Sequence, residues 1–141
     1  MAFVAACCAM LVVFSTVIHY EVLGALTASL PAIGGSSRAK LLVVILSTFG
    51  AHAAEILLYA ATVYLLSRYT NLGSLGGPAG SSFSATIYFS AETYTSLGYG
   101  DLVPTGDLRM LAGVEALNGL LLIGWSASYT YIAMERYWRG S

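Results

Sequence analysis

Two histidines and a glutamate interrupt the apolar stretches of this 141-residue chain at positions where their side chains can meet. His52 and Glu55 are three residues apart, so a helix places both on one face. His19 lies about as deep in the first apolar run as His52 does in the second, counted from their adjoining ends. The two imidazoles could therefore meet if the two helices are antiparallel. Glu21 is about 200° around the helix from His19, so it cannot share that face.

The residues His19, His52 and Glu55 are compatible with three kinds of chemistry. Hydrogen bonds among them can hold the first helix to the rest of the chain, because polar side chains in lipid must face protein. Histidine titrates near physiological pH, so the group could instead sense protons. Two imidazoles and one or two carboxylates also satisfy zinc by ligand type. The sequence favours the structural network and leaves the proton sensor and the metal site open.

Glu115 and Asn118 lie one helical turn apart in the last apolar run. Glu115 is a further candidate for the network of His19, His52 and Glu55. Glu115 and Asn118 could also both line a cavity that concentrates cations. Glu115 lies early in its helix, where the short apolar segment Phe83 to Tyr94 is expected to pack. This position favours a hydrogen bond between Glu115 and the back of that segment. For Asn118, the cavity and a packing role remain equally open.

The composition places these residues in a membrane. Hydrophobic residues make up 57% of the chain and charged residues 9%, with a mean hydropathy of +0.76, whereas soluble domains have about 25% charged residues. A net charge of -1 indicates that the chain has no positively charged surface for binding nucleic acid. So few polar residues leave no room for a soluble sensor domain or an organic cofactor site. The adjacent Cys7 and Cys8 fit small hydrophobes better than a disulfide or zinc motif.

Three apolar runs are long enough to cross a bilayer, and we expect each to form a helix. They are Met1 to Leu30, Leu41 to Leu66 and Met110 to Met134. A cleaved signal peptide is the less favoured interpretation of the first run, because no Lys or Arg precedes it and it is longer than a typical signal core.

A fourth apolar segment, Phe83 to Tyr94, is too short to span and is typical of a re-entrant helix. Basic residues follow the first run at Arg38 and Lys40 and the third at Arg136 and Arg139. Because cytoplasmic loops carry the excess of Lys and Arg, these ends are predicted to be cytoplasmic. We expect a multi-pass, all-α protein of the cell membrane with its N-terminus outside and its C-terminus in the cytoplasm.

The segment that follows the short helix resembles the filter signature of the potassium-channel pore family. It reads Thr95-Ser96-Leu97-Gly98-Tyr99-Gly100-Asp101. Gly98 and Gly100 can take the positive φ that aims successive carbonyls at one axis, where they replace the hydration shell of an ion. The close match runs from Glu92 to Pro104. The family unit of outer helix, pore loop and inner helix covers about Leu41 to Trp138.

This resemblance implies a homotetramer, since the pore needs four filter strands and one chain supplies one. It implies an additional N-terminal helix with a cytoplasmic loop over 1–37 and a pore domain over 38–141. Within that domain it implies an outer helix at 40–67, a pore helix at 83–95, a filter at 95–101 and an inner helix at 107–135. The implied filter residues are Thr95, Ser96, Leu97, Gly98, Tyr99 and Gly100, with K⁺ at Ser96, Leu97, Gly98 and Tyr99.

Three positions depart from the family pattern. Ser96 stands where threonine is usual and loses a methyl group, and Leu97 stands where valine or isoleucine is usual. Tyr88 and Phe89 replace a tryptophan pair, so the aromatic cuff that braces Tyr99 must differ. Potassium conduction remains the expectation, and the degree of selectivity over sodium stays open.

The family pattern also suggests roles for residues around the filter. Glu92 and Asp101 match a pair that shares a proton behind the filter strand. Gly119 falls at the position of the hinge glycine of the inner helix, with Gly124 as the alternative if the alignment slips. A glycine in a membrane helix can equally serve close packing. Asn118 is a further gating candidate.

The sequence thus predicts a minimal potassium-selective channel whose partners are three identical subunits and membrane lipid, with K⁺ in the filter as its only cofactor. A weakly selective cation channel is the alternative within the same class. A non-conducting membrane protein that handles protons or metal through His19, His52 and Glu55 is the alternative from another class. No nucleophile or substrate pocket points to an enzyme.

Overall fold

The computed structural model describes residues 2–77 and 82–138, and this part of the chain is almost entirely helical. Arg139, counted above among the cytoplasmic cations, lies outside the described residues. The elements in chain order are α1 (Ala2–Ser29), α2 (Ser37–Tyr69), β1 (Leu75–Gly76), α3 (Phe83–Tyr94), β2 (Val103–Pro104) and α4 (Leu108–Trp138).

Three helices, α1, α2 and α4, are long and apolar enough to cross a membrane. They correspond to the three runs predicted from the sequence, and the all-α membrane fold is confirmed. Helix α3 has 12 residues, which gives a length of about 18 Å and cannot cross a hydrocarbon core of about 30 Å. Its first turn is capped by Ser82, whose hydroxyl accepts from the Ala85 amide at 3.1 Å.

The packing of α1 follows from one stripe of buried residues at steps of three or four positions, which is the helical repeat. The stripe consists of Val4, Cys8, Leu11, Ser15, His19, Leu23 and Leu26. It lies against α2 and α4. The apolar residues at its two ends belong to two separate clusters, one with Tyr59 and Val63 and the other with Val44 and Ala133. A layer of polar side chains around His19 lies between those clusters.

Helix α3 packs against both α2 and α4. Its approach is fixed by a two-stranded antiparallel ladder in which Leu75 pairs with Pro104 and Gly76 with Val103. The Asp107 amide also donates to the Leu72 carbonyl at 2.7 Å. The chain before α3 is therefore tied to the chain that leads into α4, which leaves the residues between α3 and β2 as a constrained loop.

Candidate functional site

The backbone of the segment after α3 is held by its own amide groups. Four successive amides, from Ser96 to Tyr99, donate back to the last turns of α3. The bonds are Ser96 N to Thr93 O at 2.9 Å, Leu97 N to Glu92 O at 2.8 Å, Gly98 N to Glu92 O at 3.3 Å and Tyr99 N to Glu92 Oε2 at 3.1 Å. A trans peptide points its C=O opposite to its N–H. The carbonyls of the four residues from Thr95 to Gly98 therefore point away from α3.

The φ angles in this segment alternate in sign. Ser96, Gly98 and Gly100 have φ of 58°, 59° and 81°, whereas Leu97 and Tyr99 do not have positive φ. Alternating right- and left-handed residues turn successive peptide groups to the same side, whereas a regular strand points them to opposite sides. The two glycines adopt the expected conformation. Ser96 adopts it without being glycine, at a cost of about 1–2 kcal/mol.

Residues 95–101 are exposed in the single chain, with Leu97 at 58% and Tyr99 at 69% of their full accessibility. No atom outside the neighbouring residues lies within 4 Å of a Cβ built on Gly98 or Gly100. One chain therefore presents a single row of carbonyls to open space. A row on one side can contact an ion but cannot surround it.

The electrostatics around this row favour a cation. The segment begins where α3 ends, at Tyr94, and the C-terminal end of a helix carries partial negative charge. The carbonyl oxygens add further negative dipoles on the same side. An anion would meet only repulsion here.

Two acidic residues support the segment from different sides. Glu92 is 4% exposed and accepts the Tyr99 amide. Asp101 accepts from the Tyr88 hydroxyl at 3.2 Å. Within residues 2–77 and 82–138 no hydrogen bond between the Glu92 and Asp101 carboxyl groups is seen, so the shared proton stays a prediction.

Tyr88 provides the aromatic support for Tyr99. The two rings are parallel within 1°, with centroids 6.5 Å apart. Loss of hydration and the Asp101 carboxylate raise the pKa of the Tyr88 phenol, so its hydroxyl stays protonated and donates at neutral pH. Phe89 instead lies in the core at 3% exposure. Of the Tyr88-Phe89 pair, Tyr88 therefore lies beside Tyr99, whereas Phe89 packs in the core.

Behind the site, the predicted group of His19, His52 and Glu55 comes together. His19 Nδ1 is 2.9 Å from Glu55 Oε1, and His52 Nδ1 is 3.2 Å from Glu55 Oε2. The Tyr94 hydroxyl contacts His52 Nδ1 at 2.8 Å and donates to Glu55 Oε2. Ser126 Oγ lies 3.1 Å from His19 Nε2. The group thus connects all four helices, and through Tyr94 it reaches the end of α3.

Glu115 and Asn118 occupy separate positions from this group. Glu115 accepts from Ser90 of α3 at 2.5 Å, as its position early in the helix predicts. Its other oxygen has no partner within the described part of the chain. Asn118 donates to Ser15 at 2.7 Å and to Tyr59 at 3.2 Å. Asn118 therefore faces α1 and α2 in the single chain, where its amide serves packing.

The two candidate hinge glycines differ in their surroundings. A Cβ on Gly119 would overlap the Tyr94 carbonyl oxygen, whereas a Cβ on Gly124 meets nothing within 4 Å. Gly119 therefore allows α4 to approach the end of α3, which is a packing role. A hinge at either glycine stays a prediction.

Sequence reasoning did not identify Tyr94 or Ser126 as partners of the buried group. Both are polar residues on the protein-facing side of apolar helices, since Tyr94 is fully buried and Ser126 is 7% exposed. A phenol at the end of the short apolar helix α3 is the signal that could have indicated this contact. Its target depends on how α2 and α3 pack, which the local pattern does not specify.

Comparison with known proteins places the chain in a family. A protein-family model described as an ion channel matches residues 41–136. The inward rectifier potassium channel Kirbac3.1 of Paramagnetospirillum magnetotacticum is 39% identical over 56 residues, which are 39% of this chain and 19% of that relative. The similarity thus covers less than a fifth of the relative's length. No solved structure matches the chain.

Proposed function

Because this chain belongs to the ion channel family, we propose that it is a potassium-selective channel that conducts K⁺ passively across the cell membrane. One observation carries the proposal. Four successive amides of the segment after α3 are bound to α3, so the carbonyls from Thr95 to Gly98 point together to the open side. Carbonyl oxygens in rings are the groups that replace the hydration shell of K⁺.

The conducting unit is a homotetramer in this proposal. One exposed row of carbonyls becomes a ring at each level when four chains surround an axis. A second exposed stripe, on α4, supports the contact between chains because its residues recur at steps of three or four. Its members are Gly113, Leu117, Leu120, Gly124, Ala127 and Tyr131. Large apolar surface of this kind is expected to meet lipid or other chains.

K⁺ would bind at the backbone of Ser96, Leu97, Gly98 and Tyr99 and pass from ring to ring. The filter must keep its width as ions move, and its rigidity comes from the amide bonds to Glu92 and the ring of Tyr88 against Tyr99. The partial negative charge at the end of α3 keeps cations near the inner mouth. No organic cofactor enters this mechanism.

The pore domain in this proposal is 38–141, and 1–37 adds the α1 helix and its loop. The basic residues Arg38, Lys40 and Arg136 support a cytoplasmic position for the adjoining ends of α1, α2 and α4. The N-terminus and the filter entrance then face outward. The matched relative is named as a potassium channel, which supports K⁺ as the permeant ion.

A weakly selective cation channel is the second candidate, and Ser96 is the observation that favours it. Its side chain lacks the methyl that threonine would pack behind the filter, and the residue is exposed in the left-handed conformation. A looser innermost ring would discriminate less between K⁺ and Na⁺.

A flux assay on liposomes separates these candidates. Liposomes with the reconstituted protein are loaded with K⁺ or with Na⁺ and diluted into a solution of an impermeant cation, so that the ion gradient drives outward flux. A proton ionophore lets protons enter in exchange, and the internal pH reports the flux. The proposal predicts flux from the K⁺ liposomes and little from the Na⁺ liposomes. Equal flux would support the weakly selective channel, and flux in neither case would refute conduction.

A further inference from the structure

We propose that His19, His52 and Glu55 form a binding site for a divalent transition-metal ion of the Zn²⁺ type, one per chain. One donor atom from each residue lies within 4.8 Å of the others. His19 Nδ1 is 2.9 Å from Glu55 Oε1, and His52 Nδ1 is 3.2 Å from Glu55 Oε2. The site lies behind the filter, between α1, α2 and the end of α3, and it is distinct from the K⁺ sites of the pore.

The donor set suits zinc by type and spacing. Zn²⁺ binds imidazole nitrogen and carboxylate oxygen at about 2.0–2.2 Å, which places tetrahedral ligands about 3.3–3.6 Å apart. The two hydrogen-bonded separations, 2.9 and 3.2 Å, are slightly below this range, and one donor atom from each of the three residues lies within 4.8 Å of the others, so small side-chain movements would reach it. Ions that prefer oxygen ligands alone, such as Mg²⁺ and Ca²⁺, are disfavoured by two imidazoles.

The surroundings of His19 favour metal binding through its Nδ1 atom. A ligand nitrogen must be unprotonated, so the proton of a neutral imidazole has to lie on Nε2. Ser126 Oγ is 3.1 Å from that Nε2 and can accept its hydrogen. Metal-binding histidines usually donate the second ring N–H to such an acceptor, which fixes the ring and its tautomer. Ser126 is therefore a positioning residue for the site.

Tyr94 supplies the oxygen nearest to these ligands. Its hydroxyl contacts both His52 and Glu55, so its oxygen is placed to complete the coordination as a fourth ligand. The His52 side chain is 18% exposed, whereas those of His19 and Glu55 are fully buried. The ion would therefore enter past His52.

Occupancy would tie three helices together. In the absence of metal the same atoms satisfy one another by hydrogen bonds, so the protein is stable without the ion. With metal bound, α1, α2 and the Tyr94 end of α3 share coordinate bonds, and Tyr94 lies two residues before Ser96. Metal would thereby stiffen the support of the filter.

Co²⁺ provides a direct probe, because its visible absorption reports tetrahedral coordination by nitrogen and oxygen. The protein is purified in detergent without a histidine tag; its sequence has two histidines, and both belong to the site. We expect one Co²⁺ per chain, displaced by Zn²⁺. His19→Gln or Glu55→Gln should weaken binding by more than about 100-fold, and Ser126→Ala by about 10- to 100-fold.

Two controls keep the test specific. Glu115→Gln changes a buried glutamate outside the site, and Cys7→Ser with Cys8→Ser removes the thiols; both should bind Co²⁺ as the wild type does. Variants are compared only when they elute at the wild-type size. An intact wild-type protein without a tetrahedral Co²⁺ spectrum would overturn the proposal, as would binding that the site variants leave unchanged. Because the readout is binding and not current, the result is independent of conduction.

Discussion

Replacing Gly98 by alanine should abolish potassium current while the chains still assemble. Gly98 has φ of 59°, a conformation that residues with a Cβ adopt at a cost of about 1–2 kcal/mol. No neighbouring atom of the same chain lies within 4 Å of the added Cβ, so within one chain the cost is conformational and not a clash. Four chains must adopt the conformation together, which raises the cost to about 4–8 kcal/mol.

That cost is large enough to reduce the population of the conducting conformation to a very small fraction. Since about 1.4 kcal/mol is a factor of ten in population, the conducting state would fall by about three to six orders of magnitude. The helix contacts that hold the chains are unchanged, because residues 95–101 lie outside α2, α3 and α4. The assay is single-channel recording in planar bilayers, combined with the elution volume of the purified protein.

Gly24→Ala is the matched control. It adds the same methyl group to a helical glycine with no atom within 4 Å of the new Cβ, so assembly and current should be unchanged. Wild-type current and selectivity in Gly98→Ala would refute the assignment of this segment as the filter. If Gly24→Ala also lost its current, the loss in Gly98→Ala could not be assigned to the conformation of Gly98.

Three further changes test the support of the filter. Glu92→Gln weakens the bond to the Tyr99 amide and should shorten conducting periods several-fold in single-channel records, because charge-assisted bonds are roughly twice as strong as neutral ones; altered ion preference with unchanged periods would contradict this. Gly119→Ala should cost about 1–3 kcal/mol in detergent unfolding by overlap with Tyr94, whereas Gly24→Ala should not destabilise the protein. Tyr94→Phe should cost about 1–3 kcal/mol in the same assay by removing a donor to buried Glu55, and wild-type stability would count against that bond.

The parts of the fold with strong local signals were predictable from the sequence. Apolar length identified the three spanning helices, and the short run before the glycines identified α3. Helical spacing and depth were also enough to predict that His19 and His52 meet, and their ring centroids are 5.1 Å apart. Each of these predictions depends on residues close in sequence or on a simple count along a helix.

The contacts that depend on how whole helices pack were not predictable. Tyr94 reaches Glu55 only because α3, where it packs against α2, is rotated about its own axis so that Tyr94 faces α2. No local sequence pattern sets that rotation. Asn118 faces Ser15 for the same reason. The left-handed φ of Ser96 comes from the amide bonds that fold the segment back on α3, and a serine gives no local sign of it. Long-range packing decides these features.

The reversal potential of the purified protein in a planar bilayer tests the central claim most directly. With a tenfold potassium gradient and sodium balancing the total salt, a potassium-selective pore reverses near the potassium equilibrium potential, about 59 mV from zero. Exchanging the two solutions should reverse the sign. A reversal near zero in both arrangements would contradict potassium selectivity.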